Sequence, residues 1–348
     1  MPTLSINYGL SDITAVCIDD LGDLSDISIG YPYSRDLFAH FYSEQEYYTD
    51  IFNHILKKLK IHKTDLKVIA TGFPHIPAIG YEYSSALTLD KLFKLVDKCH
   101  IVCADNCSIF TQDTFISLQN LNNLGLGEQE KNYLANLYVY KNAYPTTLSH
   151  YNLLFANIWH IVNSINGTRP LPKMEVEYPL LFLGDIFSVK EQEFTNIAYL
   201  YMVSLIRDPG IYYLTFDQRN LFPHFVHLAA FNNDFTHFKD DYSTKELGTL
   251  INSPGNTSCL IETEVGTSQL VEVSANRMFF VPMKREEGAR IVVKSELLGS
   301  FEKKISGGDL GLIIDTRSKH DTKAYTYSDL QQDINANLKN INEVLNQL

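Results

Sequence analysis

Leu4-Ser5-Ile6-Asn7-Tyr8-Gly9-Leu10-Ser11-Asp12 opens the chain as an apolar strand that runs into a turn of small and polar residues. Two later stretches repeat the form: Ile101-Val102-Cys103-Ala104-Asp105-Asn106-Cys107-Ser108 and Leu180-Leu181-Phe182-Leu183-Gly184-Asp185-Ile186-Phe187-Ser188. Strand followed by tight turn is how α/β proteins offer backbone amides to a phosphate.

Working outward from the first stretch, residues 4–19 predict a β-hairpin and Gly22 to Tyr31 a third strand. Ser43 to Leu59 carries Tyr47, Tyr48, Ile51, Phe52, Ile55, Leu56 and Leu59 at helical spacing, with Ser43 and Glu46 placed as a capping box. Val68 to Gly72 predicts a short buried strand, and Thr88 to Lys98 a helix that feeds the strand at Ile101. Beyond the third stretch, a helix over Glu191 to Ile206, a strand over Ile211 to Thr215 and a helix over Leu221 to Phe231 follow. Strands alternating with helices point to α/β layers. From about 258 to 316 the pattern changes to successive alternating β runs.

The composition sets bounds on function. The chain has 348 residues, 45% hydrophobic and 20% charged, which is enough for more than one core. Its net charge of −12 repels phosphate backbones, so no nucleic-acid partner is expected. The run Lys57-Lys58-Leu59-Lys60 reads as cations at a helix C-terminus. No apolar run is long enough for a membrane helix, and the first residues do not read as a signal segment, so a cytoplasmic location is expected. Five cysteines are then expected to be reduced thiols. Cys99, Cys103 and Cys107, with His100 beside them, do not match zinc or iron–sulfur spacings, so no metal centre is expected. His224, His227 and His237 lack a carboxylate spaced like a zincin base and read as core or solvated histidines.

The three strand–turn stretches, in this order, resemble the phosphate-1, phosphate-2 and adenosine motifs of the actin-like ATPase superfamily, in eroded form. Ile6 to Thr14 keeps the Gly and the polar turn, but Asn7 stands where that superfamily usually has a metal-organising Asp. Cys107 stands where a phosphate-approaching Gly is expected, and Asp185 where a second adenosine-site Gly would be. Tyr212 to Asp217, Asn220 to Ala230 and, most specifically, Gly307-Gly308-Asp309-Leu310-Gly311-Leu312-Ile313-Ile314-Asp315-Thr316-Arg317 resemble hydantoinase-like and glutamate-mutase accessory proteins.

The resemblance implies an α/β fold with a two-lobed actin-like (ribonuclease H-like) core. That core is expected over 1–246, with lobes of roughly 1–98 and 99–246. A small β-rich domain over 247–317 and a tether with an amphipathic helix over 318–348 follow. It implies ATP with Mg²⁺ as the cofactor, and Asn7, Gly9, Ser11, Asp12, Thr14, Gly184 and Asp185 as the nucleotide-binding residues. Asp105 is the catalytic residue if the protein is active.

Three readings of function stay open: a degenerate actin-like scaffold or accessory subunit with little hydrolysis, an active ATPase or small-molecule kinase, and an assembly protein of a pilus- or division-type machine. Ile334, Leu338, Ile341, Leu345 and Leu348 step by four and three, the stripe of a coiled coil, and are the expected surface for a protein partner or self-association.

Overall fold

The computed structural model describes residues 2–8, 12–30, 44–62, 66–72, 82–83, 100–104, 108–111, 114–117, 127–139, 147, 149–150, 153, 179–183, 199–200, 203, 206, 209–229, 244–317 and 332. The chain divides into two units, one of Met1–Asp97 with Asp217–Thr244 and one of Lys98–Phe216 with Lys245–Leu348.

The first unit is built on a five-stranded sheet. Its strands are β1 (Thr3–Tyr8), β2 (Asp12–Ile18), β3 (Leu24–Gly30), β4 (Lys67–Gly72) and β5 (Glu82–Tyr83), in the order β3-β2-β1-β4-β5. β1, β2 and β3 form an antiparallel meander, while β4 runs parallel to β1 and β5 parallel to β4. Alternation along β1 and β2 sends Leu4, Ile6, Tyr8, Ile13, Ala15 and Cys17 to one face. There they pack on Tyr48, Ile51, Phe52, Ile55 and Leu56 of α1 (Glu44–Leu59). Val16 and Ile18 point the other way, onto Leu221, Phe225 and Leu228. The sheet is therefore covered on both faces, which is why β1 is buried along nearly its whole length.

The second unit repeats this order. Its strands begin with β6 (His100–Ala104), β7 (Ser108–Thr111), β8 (Thr114–Ser117), β9 (Pro179–Leu183) and β10 (Gly210–Asp217). β6 pairs antiparallel with β7 and β7 with β8, while β9 runs parallel to β6 and β10 parallel to β9. The order β8-β7-β6-β9-β10 is thus the order of the first unit, direction for direction. The sheet continues past β10 through β11 (Thr244–Asn252), β17 (Leu312–Asp315) and β14 (Met278–Val281), making eight strands. β12 (Thr257–Thr263), β13 (Ser268–Val273), β15 (Gly288–Ser295) and β16 (Gly299–Ser306) form a separate four-stranded antiparallel sheet.

The two units divide the chain differently from the expected lobes. Residues 217–244 return to the first unit, where α3 (Phe222–Ala229) supplies the second cover of the sheet. The β runs beyond 247 do not form a domain of their own. β11, β14 and β17 belong to the large sheet, and one apolar cluster joins Ile251, Val281, Leu312 and Ile314 of that sheet to Cys259, Ile261, Ile291 and Val293 of the small one. A strand that pairs locally and one that pairs across the chain carry the same alternation, so the pattern could not separate them.

α2 (Glu128–Val139) was not expected. The helix expected over 88–98 lies outside the described residues. So does the C-terminal helix, apart from Gln332, and with it Ile334, Leu338, Ile341, Leu345 and Leu348. Among the described residues no helix is long and apolar enough to cross a membrane.

Candidate functional site

The strand-to-turn junctions of the two units match residue for residue. In the first, Tyr8 faces Ile13 and Asp12 faces Gly30, so the hairpin closes over Gly9-Leu10-Ser11-Asp12. In the second, Ala104 faces Ile109 and Ser108 faces Ser117, closing over Asp105-Asn106-Cys107-Ser108. Each leading strand then has a parallel neighbour: Tyr8 lies beside Gly72, while Cys103 lies beside Leu183, the residue before Gly184. A doubled, hairpin-first sheet with this order and these directions decides the fold. The chain has the actin-like fold.

The actin-like repeat fixes which site residues the backbone brings together. β6 and β9 are adjacent and parallel, so the stretch beginning at Asp105 and the stretch beginning at Gly184-Asp185 leave neighbouring strand ends at one sheet edge. In α/β sheets that carboxyl edge is where ligands sit. Gly9, Ser11, Asp105, Gly184 and Asp185 themselves lie outside the described residues, and Asp12 is placed only as the first residue of β2. Register also aligns Asp105 with Gly9 and Asn7 with Cys103, so Asn7 and Asp105 are not equivalent positions of the repeat.

Asn7 and Thr14 are cross-strand neighbours on the face of the sheet that α3 covers. Thr14 is fully buried, and its Oγ1 lies 2.7 Å from Nε2 of His224. Nδ1 of the same imidazole lies 2.8 Å from Oγ of Ser5 on β1. Thr14 also donates, at 3.5 Å, to the Asn220 carbonyl. The Thr14 hydroxyl is therefore engaged inside the unit.

His224 sits on α3, whose first turn is anchored by the Asp217 carboxylate. That group accepts from the N–H of Leu221 at 3.1 Å and of Phe222 at 2.6 Å, satisfying donors every helix start leaves open. Asn220 enters the helix with φ of 52°, a left-handed conformation that Asn tolerates better than most residues. Ser5 and His224 were not read as site residues. Ser5 alternates with core positions and so resembles an outward residue; only the second covering layer makes its face an interior one.

The Gly307 to Arg317 run, the most specific resemblance in the sequence, is a packing joint of the second unit. A Cβ on Gly311 (φ 66°) would stand 2.3 Å from the Val281 carbonyl oxygen, and one on Gly308 (φ 117°) 2.7 Å from the Gly248 nitrogen. Several backbone donors of this run bond to the chain itself: Gly307 N–H donates to Glu287, Asp309 to Glu246 and Leu310 to Leu247. The Asp309 carboxylate accepts from the Tyr199 hydroxyl at 3.1 Å and pairs with Lys245 at 2.5 Å and Arg285 at 3.4 Å. Burial, followed by the nearby Asp309 charge, pushes the Tyr199 phenol far above its ordinary range. At the end of β17, Asp315 is wholly buried and is held by both Nε and Nη2 of Arg317, at 2.9 and 2.8 Å.

The residues fit the expected Mg²⁺ poorly on the first hairpin. Asn7 is neutral and only 8% exposed, and among the described residues no three His, Cys, Asp or Glu side chains group as metal ligands.

No known protein family matches the chain, and no curated protein matches it. Among solved structures it is similar to an exopolyphosphatase-like protein, at 11% identity over 58% of this chain and 69% of that one, with a TM-score of 0.32. It is similar also to the ethanolamine utilization protein EutJ of Carboxydothermus hydrogenoformans, at 7% identity over 59% and 80% of the two chains, TM-score 0.30. A ROK family protein of Streptococcus pneumoniae, in complex with sucrose, gives 11% identity over 67% and 99%, TM-score 0.30. The assignment of the fold rests on the repeated strand order and not on these likenesses.

Proposed function

We propose that this chain is a degenerate actin-fold protein, a scaffold or accessory subunit that binds ATP weakly and hydrolyses it little or not at all. The observation that supports this reading is the pair of hairpins, each with four residues between its last paired positions, combined with the state of the first one: Asn7 supplies no charge and Thr14 is turned inward onto His224. A turn amide can still hold an anion after the carboxylate that organises metal is gone, which favours binding over turnover. Gly9 and Ser11 in the first unit, and Gly184 and Asp185 in the second, are the proposed nucleotide contacts. The stripe from Ile334 to Leu348 is the proposed surface for a protein partner or a second copy.

Calorimetric titration with ATP, with and without Mg²⁺, tests this. Binding in the micromolar-to-millimolar range without appreciable phosphate release is expected. Steady phosphate release that disappears in Asp105→Ala would overturn it and establish the ATPase or kinase reading.

A further inference from the structure

His224 does work that neither the motifs nor the fold accounts for. α3 is already held on the sheet by Leu221, Phe225 and Leu228 against Val16 and Ile18, and its start is already capped by Asp217. An apolar side chain at 224 would seal the same interface with no directional demand. The imidazole instead bridges the two strands that flank the first turn, to Ser5 on β1 and Thr14 on β2.

All three side chains are fully buried, so their hydrogen bonds exchange with no solvent and each fixes a distance and an angle. Each ring nitrogen shares one hydrogen bond with a hydroxyl, Nε2 with Thr14 on one strand and Nδ1 with Ser5 on the other. The ring is thus a spacer that sets how β1 and β2 enter the Gly9–Ser11 turn.

We propose that His224 is a positioning residue for this hairpin, setting nucleotide affinity through Thr14 and Ser5 without touching the nucleotide; the affinity part rests on the ATP-binding reading above. Two readouts are taken together: the Kd for Mg-ATP by calorimetry, and hydrogen exchange of the backbone amides of residues 9–12 in the nucleotide-free protein. Thr14→Val removes the hydroxyl and keeps the shape. It is expected to raise Kd about three- to tenfold, the worth of one hydrogen bond, and to speed exchange at residues 9–12 by a similar factor. His224→Leu should match it. His224→Gln, whose amide can still donate to Thr14, should stay within about twofold of wild type.

Ile55→Val is the control: it trims a fully buried side chain on the α1 side of the same sheet. It should lower the melting temperature while leaving both readouts unchanged. The proposal fails if Thr14→Val and His224→Leu leave Kd and exchange unchanged, or if Ile55→Val moves them as far. If the wild-type protein binds no nucleotide, the ATP reading fails and the exchange experiment alone decides the role of His224. If Thr14→Val does not fold, the contrast between His224→Leu and His224→Gln carries the same test.

Discussion

Gly311→Ala separates a glycine kept for packing from one kept to admit a ligand. At φ of 66° an alanine pays about 1–2 kcal/mol for the left-handed conformation alone. Its Cβ would also lie 2.3 Å from the Val281 carbonyl oxygen and 2.8 Å from the Met283 nitrogen, both backbone atoms of a neighbouring strand and its exit. Relieving that overlap pulls β17 from its neighbours and strains the bond that Thr249 N–H gives to the Gly311 carbonyl at 3.1 Å. Losing one or two such bonds adds about 1–3 kcal/mol, for a total of about 2–5.

Gly266 is the matched control. Its φ is 82°, but nothing lies within 4 Å of the added Cβ, so Gly266→Ala should cost only the conformational part, about 1–2 kcal/mol. The two variants are compared by urea midpoint and by hydrogen exchange of β17, because a chain of two units need not unfold in one step. Equal losses within about 0.5 kcal/mol would refute the packing account of this run, since the error of such comparisons is of that size. So would a stable Gly311→Ala that has lost only ligand binding.

Arg317→Met should destabilise the second unit by about 1.5–3 kcal/mol in urea titration, because it removes the guanidinium bonds to the fully buried Asp315 carboxylate; a loss below about 1 kcal/mol would show the pair to be dispensable. Burial, with Asp19 adding to it, pushes the Cys17 thiol up to about 11, and burial alone pushes Cys259 up to about 12. Both should resist iodoacetamide at pH 8 in the native protein and react in urea, as peptide mass mapping would show. A folded-state value raised above the ordinary thiol's 9.0 stabilises below that pH and loses its contribution as pH rises through about 11–12. Stability should therefore fall on the alkaline side, and less steeply in Cys17→Ala; an unchanged slope counts against burial as the cause.

The sequence by itself determined the local elements of the first unit. The hairpin from Leu4, the third strand, the helix ending at Leu59 and the strand through Val68 all stand where their periodicity put them. Their signals are short-range: alternation at two, apolar spacing at three and four, and glycine at the turns.

Tertiary structure alone decided the rest, because it depends on which faces are covered and which strands meet. Residues 217–244 rejoin the first unit through the packing of Leu221, Phe225 and Leu228. β11, β14 and β17 belong to the large sheet because of partners far off in sequence, not because of any pattern inside them. Thr14 becomes a buried partner of His224 because α3 covers its face. The glycines of the Gly307 to Arg317 run are explained by backbone that approaches from β11 and β14. Periodicity records where a side chain points along its own strand; what waits on that side is set by the other elements of the fold.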